Sequence, residues 1–143
     1  MSTLNAAIDA SATALAAERA RIEVAVSNLA NAESTRGPDG RPYRRRDVVL
    51  ASQPTEPFDV ALRRAGAVGV RVAGIVEDTS PARRRYEPSH PDADAEGYVG
   101  VPNVDPAEEM VDMVSAARAY QANLAAITLI RDLLQRALEL GRG

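Results

Sequence analysis

Apolar residues return every seven positions at both ends of this chain. Ile8, Leu15, Ile22 and Leu29 form a series near the start. Met110, Ala117, Leu124 and Leu138 form another near the end, interleaved with Met113, Tyr120, Ile127 and Leu134. That spacing gathers side chains on one stripe of a helix and demands a partner helix. Residues 3–32 are good helix formers without Gly or Pro, with Ser2 or Thr3 available as a cap. Ser27, Asn28, Asn31, Ser34 and Thr35 then accumulate, so this helix should end near residues 31–33. The second helix has a clear start: Asp105 is an N-cap, Pro106 takes the first helical position, and Glu108, Glu109 and Asp112 suit the positive end of the dipole. It should reach Leu140 and stop at Gly141. Val114, Ala126, Ile130, Leu133, Ala137 and Leu140 widen its stripe into a second apolar flank. One flank is expected to pair with the N-terminal helix and the other with neighbouring subunits.

Between the helices the period changes. Gly37-Pro38-Asp39-Gly40-Arg41-Pro42 is turn chemistry. A first strand is predicted over Tyr43 to Ala51, and Pro54 and Pro57 interrupt the chain beyond it. Val68, Val70 and Val72 alternate with Gly69 and Arg71, the period of a half-buried strand running to about Glu77. Asp78 to Pro81 turns the chain, and Arg83 to Tyr86 reads as a short strand. Residues 87–97 make an acidic, Pro-rich loop, and Tyr98 to Val101 is a brief extended piece. The expected fold is therefore α+β and mainly α. Long N- and C-terminal helices pair as a coiled coil, with a small central β-rich module. The divisions are an N-terminal helix (1–35), the central module (36–104) and a C-terminal helix (105–143).

Composition makes that arrangement dependent on association. Of the 143 residues 27 are Ala, and the aromatics are one Phe and four Tyr. Burial contributes roughly 25 cal/mol per Å² of apolar surface, and Ala supplies little surface. A monomer of this composition is marginal alone and gains order by packing against other copies. The chain has no Cys, which excludes disulfides and thiolate metal sites. No stretch approaches the roughly 20 apolar residues that span a bilayer. The N-terminus lacks the positive region of a secretory signal, so any export should proceed without a cleaved signal peptide.

All 17 basic residues are Arg. The net charge is −2 over residues 1–35, +5 over 36–85 and −6 over 86–143. A basic middle and an acidic C-terminal half can attract each other between neighbours in a head-to-tail lattice, or the arginines can simply be solvated. The Arg44-Arg45-Arg46 and Arg83-Arg84-Arg85 runs suit phosphate, but a net acidic chain with little aromatic interleaving argues against nucleic acid. His90-Pro91-Asp92-Ala93-Asp94 offers possible metal ligands, yet too few converge for a closed site. His90 is the only His, no Gly-x-Ser-x-Gly surrounds a Ser, and a Gly-rich phosphate loop is missing. The reading is a structural protein: no catalytic residue, no metal or other cofactor, and no small-molecule substrate. The alternative is a soluble helical adaptor or export chaperone that takes a partner helix into its groove.

Two segments exceed generic patterning. Val26-Ser27-Asn28-Leu29-Ala30-Asn31-Ala32 resembles the Ser-Asn-Ile/Leu-Ala-Asn motif of axial proteins of the bacterial flagellum. Ser34-Thr35-Arg36 and Gly37 to Arg45 come directly after it. The second half supplies Tyr86 to Asp94, Gly97-Tyr98-Val99, Pro102-Asn103-Val104, Glu108 to Met113 and Ser115 to Asn123. In this order the set resembles the C-type proximal rod family of the flagellar basal body over nearly the whole chain, residues 52–67 matching least. The resemblance implies a rod subunit exported through the flagellum's own type III apparatus, with partners among its own copies, other rod proteins, the membrane ring and the export apparatus. It implies an inner coiled-coil layer that transmits torque around an export channel across the periplasm. On that reading Leu15, Ile22, Leu29, Met113, Tyr120, Leu124, Ile127 and Leu134 form the assembly interface. Asn28, Asn31, Asn103 and Asn123 supply its polar contacts.

Overall fold

A computed structural model describes residues 2–53 and 68–141. The elements run α1 (Ser2–Ala30), β1 (Arg46–Gln53), β2 (Gly69–Glu77), β3 (Arg83–Tyr86), β4 (Tyr98–Val101) and α2 (Pro106–Leu140). The interruption expected at Pro54 and Pro57 lies outside the described residues. The fold is mainly helical, with two small sheets between the helices.

Local chemistry explains the helix ends. Asp105 Oδ1 accepts the Ala107 N–H at 2.8 Å and Asp105 O accepts from Glu109 N at 3.1 Å, so the N-cap works as the sequence predicts. At the far end Gly141 N donates to Ala137 O at 3.2 Å. The last turn of α1 is closed by Asn31, whose Nδ2 donates to Ser27 O at 2.9 Å while its Oδ1 accepts from Ser34 Oγ at 3.1 Å.

The described strands form two two-stranded sheets, β1 with β2 and β3 with β4. The second is antiparallel, in register from Arg83 opposite Val101 to Tyr86 opposite Tyr98. The Tyr86 and Tyr98 rings meet edge to face, with centroids 5.3 Å apart. Both strands fall where the sequence places them. The loop between them is held by its own backbone: Glu87 N donates to Gly97 O at 2.9 Å and Asp94 N to Tyr98 O at 2.8 Å. Gly97 is needed there. Its φ is +82°, and an added Cβ would come within 3.0 Å of Tyr86 Cε2 and 3.1 Å of Pro88 Cβ.

Two expectations are corrected. β1 begins at Arg46, three residues later than its apolar pattern suggests. Tyr43 is committed elsewhere, its N–H going to Ser34 O at 3.0 Å and its hydroxyl to Asn28. At the start of β2 the fully buried position is Gly69 and not a valine: Val68 and Val72 are exposed and Val70 is half-buried. Here the strand's backbone meets α1: Val70 N donates to Thr13 Oγ1 at 3.0 Å, and a Cβ on Gly69 would lie 3.1 Å from the same oxygen. Strand alternation therefore does not report burial at this position.

The chain divides into two compact units. Residues 1–20, 49–74 and 115–143 make one, whose buried apolar side chains among the described residues are the small ones of Ala17 and Ala116. Residues 21–48 and 75–114 make the other, with Ala25, Ala32, Val99, Val101 and Val104 inside. The largest fully buried side chain of the described residues is a charged one, Glu109.

Candidate assembly site

The second unit is organised around Asn28, which is 1% exposed. A buried primary amide offers two N–H donors and one carbonyl oxygen with two lone pairs. All four are used. Nδ2 donates to Arg46 O at 2.8 Å and to Glu109 Oε2 at 3.0 Å. Oδ1 accepts from Arg46 N and from the Tyr43 hydroxyl, each at 2.9 Å. The partners fix the amide's orientation, because a carboxylate only accepts and a backbone N–H only donates. Tyr43 spends its one proton on Asn28, so Ser27 Oγ, 3.3 Å away, donates to the phenol oxygen.

Glu109 is the counterpart on α2. Its other oxygen, Oε1, accepts from Arg45 Nε at 2.6 Å. The Arg45 guanidinium also pairs with Asp47 and lies 3.6 Å from Asp112 Oδ2. Burial pushes the Arg45 pKa down, but the hydrogen bonds and charges of Glu109 and Asp47 together outweigh it and the net direction is up. A buried carboxylate is tolerable only when paired and hydrogen-bonded, and Glu109 is both. Side chains from α1, from the segment leading into β1, and from the first turn of α2 thus share one satisfied polar cluster. The backbone extends it, with Asp78 N donating to Arg45 O at 2.7 Å.

Sequence reasoning singles out Asn28 but misses its partners Tyr43 and Glu109, and Arg45 as the partner of Glu109. A signal is present. Glu109 precedes Ala116 by seven residues, and Ala116 is buried, so helical period puts Glu109 on the inward face. Asn28 lies three residues after buried Ala25 and four before buried Ala32. In the sequence, the position of Glu109 in the first helical turn favours the simpler role of a partner to the helix dipole.

The other sequence-predicted residues divide by exposure. Leu15, Ile22, Leu29, Met113, Tyr120, Ile127 and Leu134 are half-buried, whereas Leu124 is 50% exposed. Met110, Val111, Val114, Leu129, Leu133 and Leu138 are exposed along the same helix. Asn31 and Asn123 bond their own helices, Asn123 Nδ2 donating to Ala119 O at 2.9 Å, and Asn103 is exposed.

Most of the arginine runs are absorbed within the chain. Arg46 reaches Glu77, Arg84 reaches Asp94 and Glu96, and Arg85 reaches Glu33 and Glu87. Arg83 donates to the carbonyls of Pro102 and Val104. The loop acids serve the loop as well. Asp92 takes hydrogen bonds or charge from Thr35 and Arg36, its N–H donates to His90 Nδ1, and Asp94 Oδ1 accepts from Glu96 N and Tyr98 N. Among the described residues no group of three or more His, Cys, Asp or Glu is placed to hold a metal, and no helix is long and apolar enough to cross a membrane.

A satisfied polar clamp, an alanine-lined interior and large apolar side chains left outside define a structural, interaction-bearing protein. The comparisons specify which. Residues 8–38 match the family described as flagella basal body rod protein, and residues 95–140 match flagellar basal body rod FlgEFG protein C-terminal. The chain is 45% identical to the flagellar basal-body rod protein FlgC of Salmonella typhimurium, across 94% of this chain and 95% of that one. It is 44% identical to FlgC of Yersinia enterocolitica, across 99% and 100%, and 44% identical to FlgC of Bacillus subtilis, across 94% and 96%. The chain belongs to the FlgC family of flagellar basal-body rod proteins.

Proposed function

We propose that this chain is a structural subunit of the proximal rod, polymerising through its terminal helices into the shaft that transmits torque around the export channel. The observation that carries this reading is the run of exposed large apolar residues on α2, in a chain similar to FlgC along nearly its whole length. Soluble monomers do not normally leave such a surface uncovered. The half-buried series Leu15, Ile22 and Leu29 pairs with Met113, Tyr120, Ile127 and Leu134 in a coiled coil within each subunit, while Leu124 faces a neighbour. Asn103 and Asn123 add polar contacts, and Asn28 and Asn31 hold the helix end from inside the chain. Its partners are its own copies, other rod proteins, the membrane ring and the export apparatus, and its place is the periplasmic rod. No step of this function requires a cofactor, a nucleic acid or a small-molecule substrate.

Purified basal bodies probed with an antibody to this chain test the reading. The chain should co-purify with the rod after the membrane is dissolved. Its recovery only in the soluble fraction would favour an adaptor or export chaperone.

A further inference from the structure

Charge pairing within the two arginine runs is nearly complete, and the exception is informative. Of the six arginines in the two runs, five have acidic or carbonyl partners; Arg44 has none among the described residues. Arg41 likewise has no ion-pair partner there, although its backbone N–H bonds Asp39. Both are exposed and both line one cavity of about 160 Å³. Pro42, Tyr43, Pro81 and Ala82 give that cavity apolar wall. Asp78 also lines it, its carboxylate already bonded by the Ser80 N–H, so the two uncommitted arginines leave a concave, partly apolar site that suits a carboxylate carried beside an apolar side chain.

The same compact unit displays the complement. At the start of α2, Glu109 is buried against Arg45, Asp112 also faces Arg45, and Asp105 caps the helix. Glu108 is exposed and has no partner among the described residues. Val111, one turn further on, is 68% exposed. Residues three apart on a helix are surface neighbours, so Glu108 and Val111 present an acid and an apolar group together.

We propose that the Arg41–Arg44 cavity of one subunit receives Glu108, with Val111 beside it, from a second copy of this chain. Donor and acceptor lie at different places on each copy, so the contact is heterologous and repeats head to tail. This rests on the rod-subunit reading and adds a lateral contact to it.

The test is charge exchange in cells. Arg44→Glu and Glu108→Arg are made singly and together, and completed basal bodies are counted. Loss in each single variant and recovery in the double is expected. Single variants indistinguishable from the parent, or a double no better than the singles, would overturn the contact. The chain has no Cys, so Arg44→Cys with Glu108→Cys and a short bismaleimide gives an independent readout. Covalent dimers and higher multiples should form in purified basal bodies. Basal bodies that contain the variant but yield no multiples overturn this contact alone; absence of the parent chain from basal bodies overturns the rod reading too.

Discussion

Asn28 and Glu109 stand 81 residues apart in sequence and 3.0 Å apart in space. Their bond ties the end of the first helix to the beginning of the second, and neither side chain retains an unused buried group that the cluster must leave bare. In a chain with so few large apolar residues, that cluster supplies much of what fixes the second unit in one arrangement. Unlike apolar packing, it requires particular atoms at particular positions.

Replacing Asn28 by Leu removes two donors and an acceptor while preserving volume. Arg46 N and O, the Tyr43 hydroxyl and Glu109 Oε2 then lose a partner inside the protein. The expected cost is about 3 kcal/mol, since a buried group left unsatisfied costs more than a hydrogen bond returns. Denaturant unfolding followed by circular dichroism measures it. A loss below about 0.5 kcal/mol would mean the cluster is dispensable.

Arg45 and Glu109 should behave as a unit. Arg45→Ala strands a buried carboxylate and is expected to cost about 3–5 kcal/mol. Glu109→Gln removes the charge and should cost less. The double variant should be less destabilised than the sum of the two single variants, because residues in one network couple. Strict additivity in that cycle would separate the two residues energetically.

Asp94 carries a pH signature. The Tyr98 N–H, then the Glu96 N–H and the Arg84 guanidinium, stabilise its carboxylate and lower its pKa below the ordinary 3.8, against a smaller opposing effect of burial. A lowered folded value means that its contribution is complete above 3.8 and disappears as pH falls through the folded pKa. Carboxyl-detected NMR titration should place Asp94 below 3.8, and Asp94→Asn should flatten the acid limb of the melting curve below about pH 4. Because a backbone donor leads, Arg84→Ala should raise the Asp94 value only in part.

Leu124 separates folding from assembly. It is half exposed in the single chain, so Leu124→Asp should change the unfolding free energy of the free protein by no more than about 0.5 kcal/mol. With Leu124 against a neighbour, as proposed, the same substitution would bury an unpaired charge in the rod and should abolish incorporation while expression continues. Normal swimming by this variant would remove Leu124 from the interface.

The helices are legible in the sequence because their signals are local: Asp105 and Pro106 start α2, Gly141 ends it, and the Asn-rich tail of α1 closes it. Arg83–Tyr86 and Tyr98–Val101 are equally legible as short strands. Hidden from the sequence is the choice each polar residue makes among long-range partners. Arg45 looks like one of three equivalent arginines, yet it turns to Glu109 while Arg44 faces out. Val68, Val70 and Val72 follow the alternation of a half-buried strand, but Thr13 claims the backbone there, and Val68 and Val72 stay exposed while Val70 is half-buried. Glu109 is legible as a helix-dipole acid, and only its seven-residue relation to Ala116 hints that it points inward.

The central claim is that this chain is an indispensable part of the rod, and electron microscopy of basal bodies from a strain lacking its gene tests it most directly. Membrane rings without a completed rod or hook are expected, restored by the parent gene and not by Leu124→Asp. Intact rods and hooks in the deletion strain would contradict it.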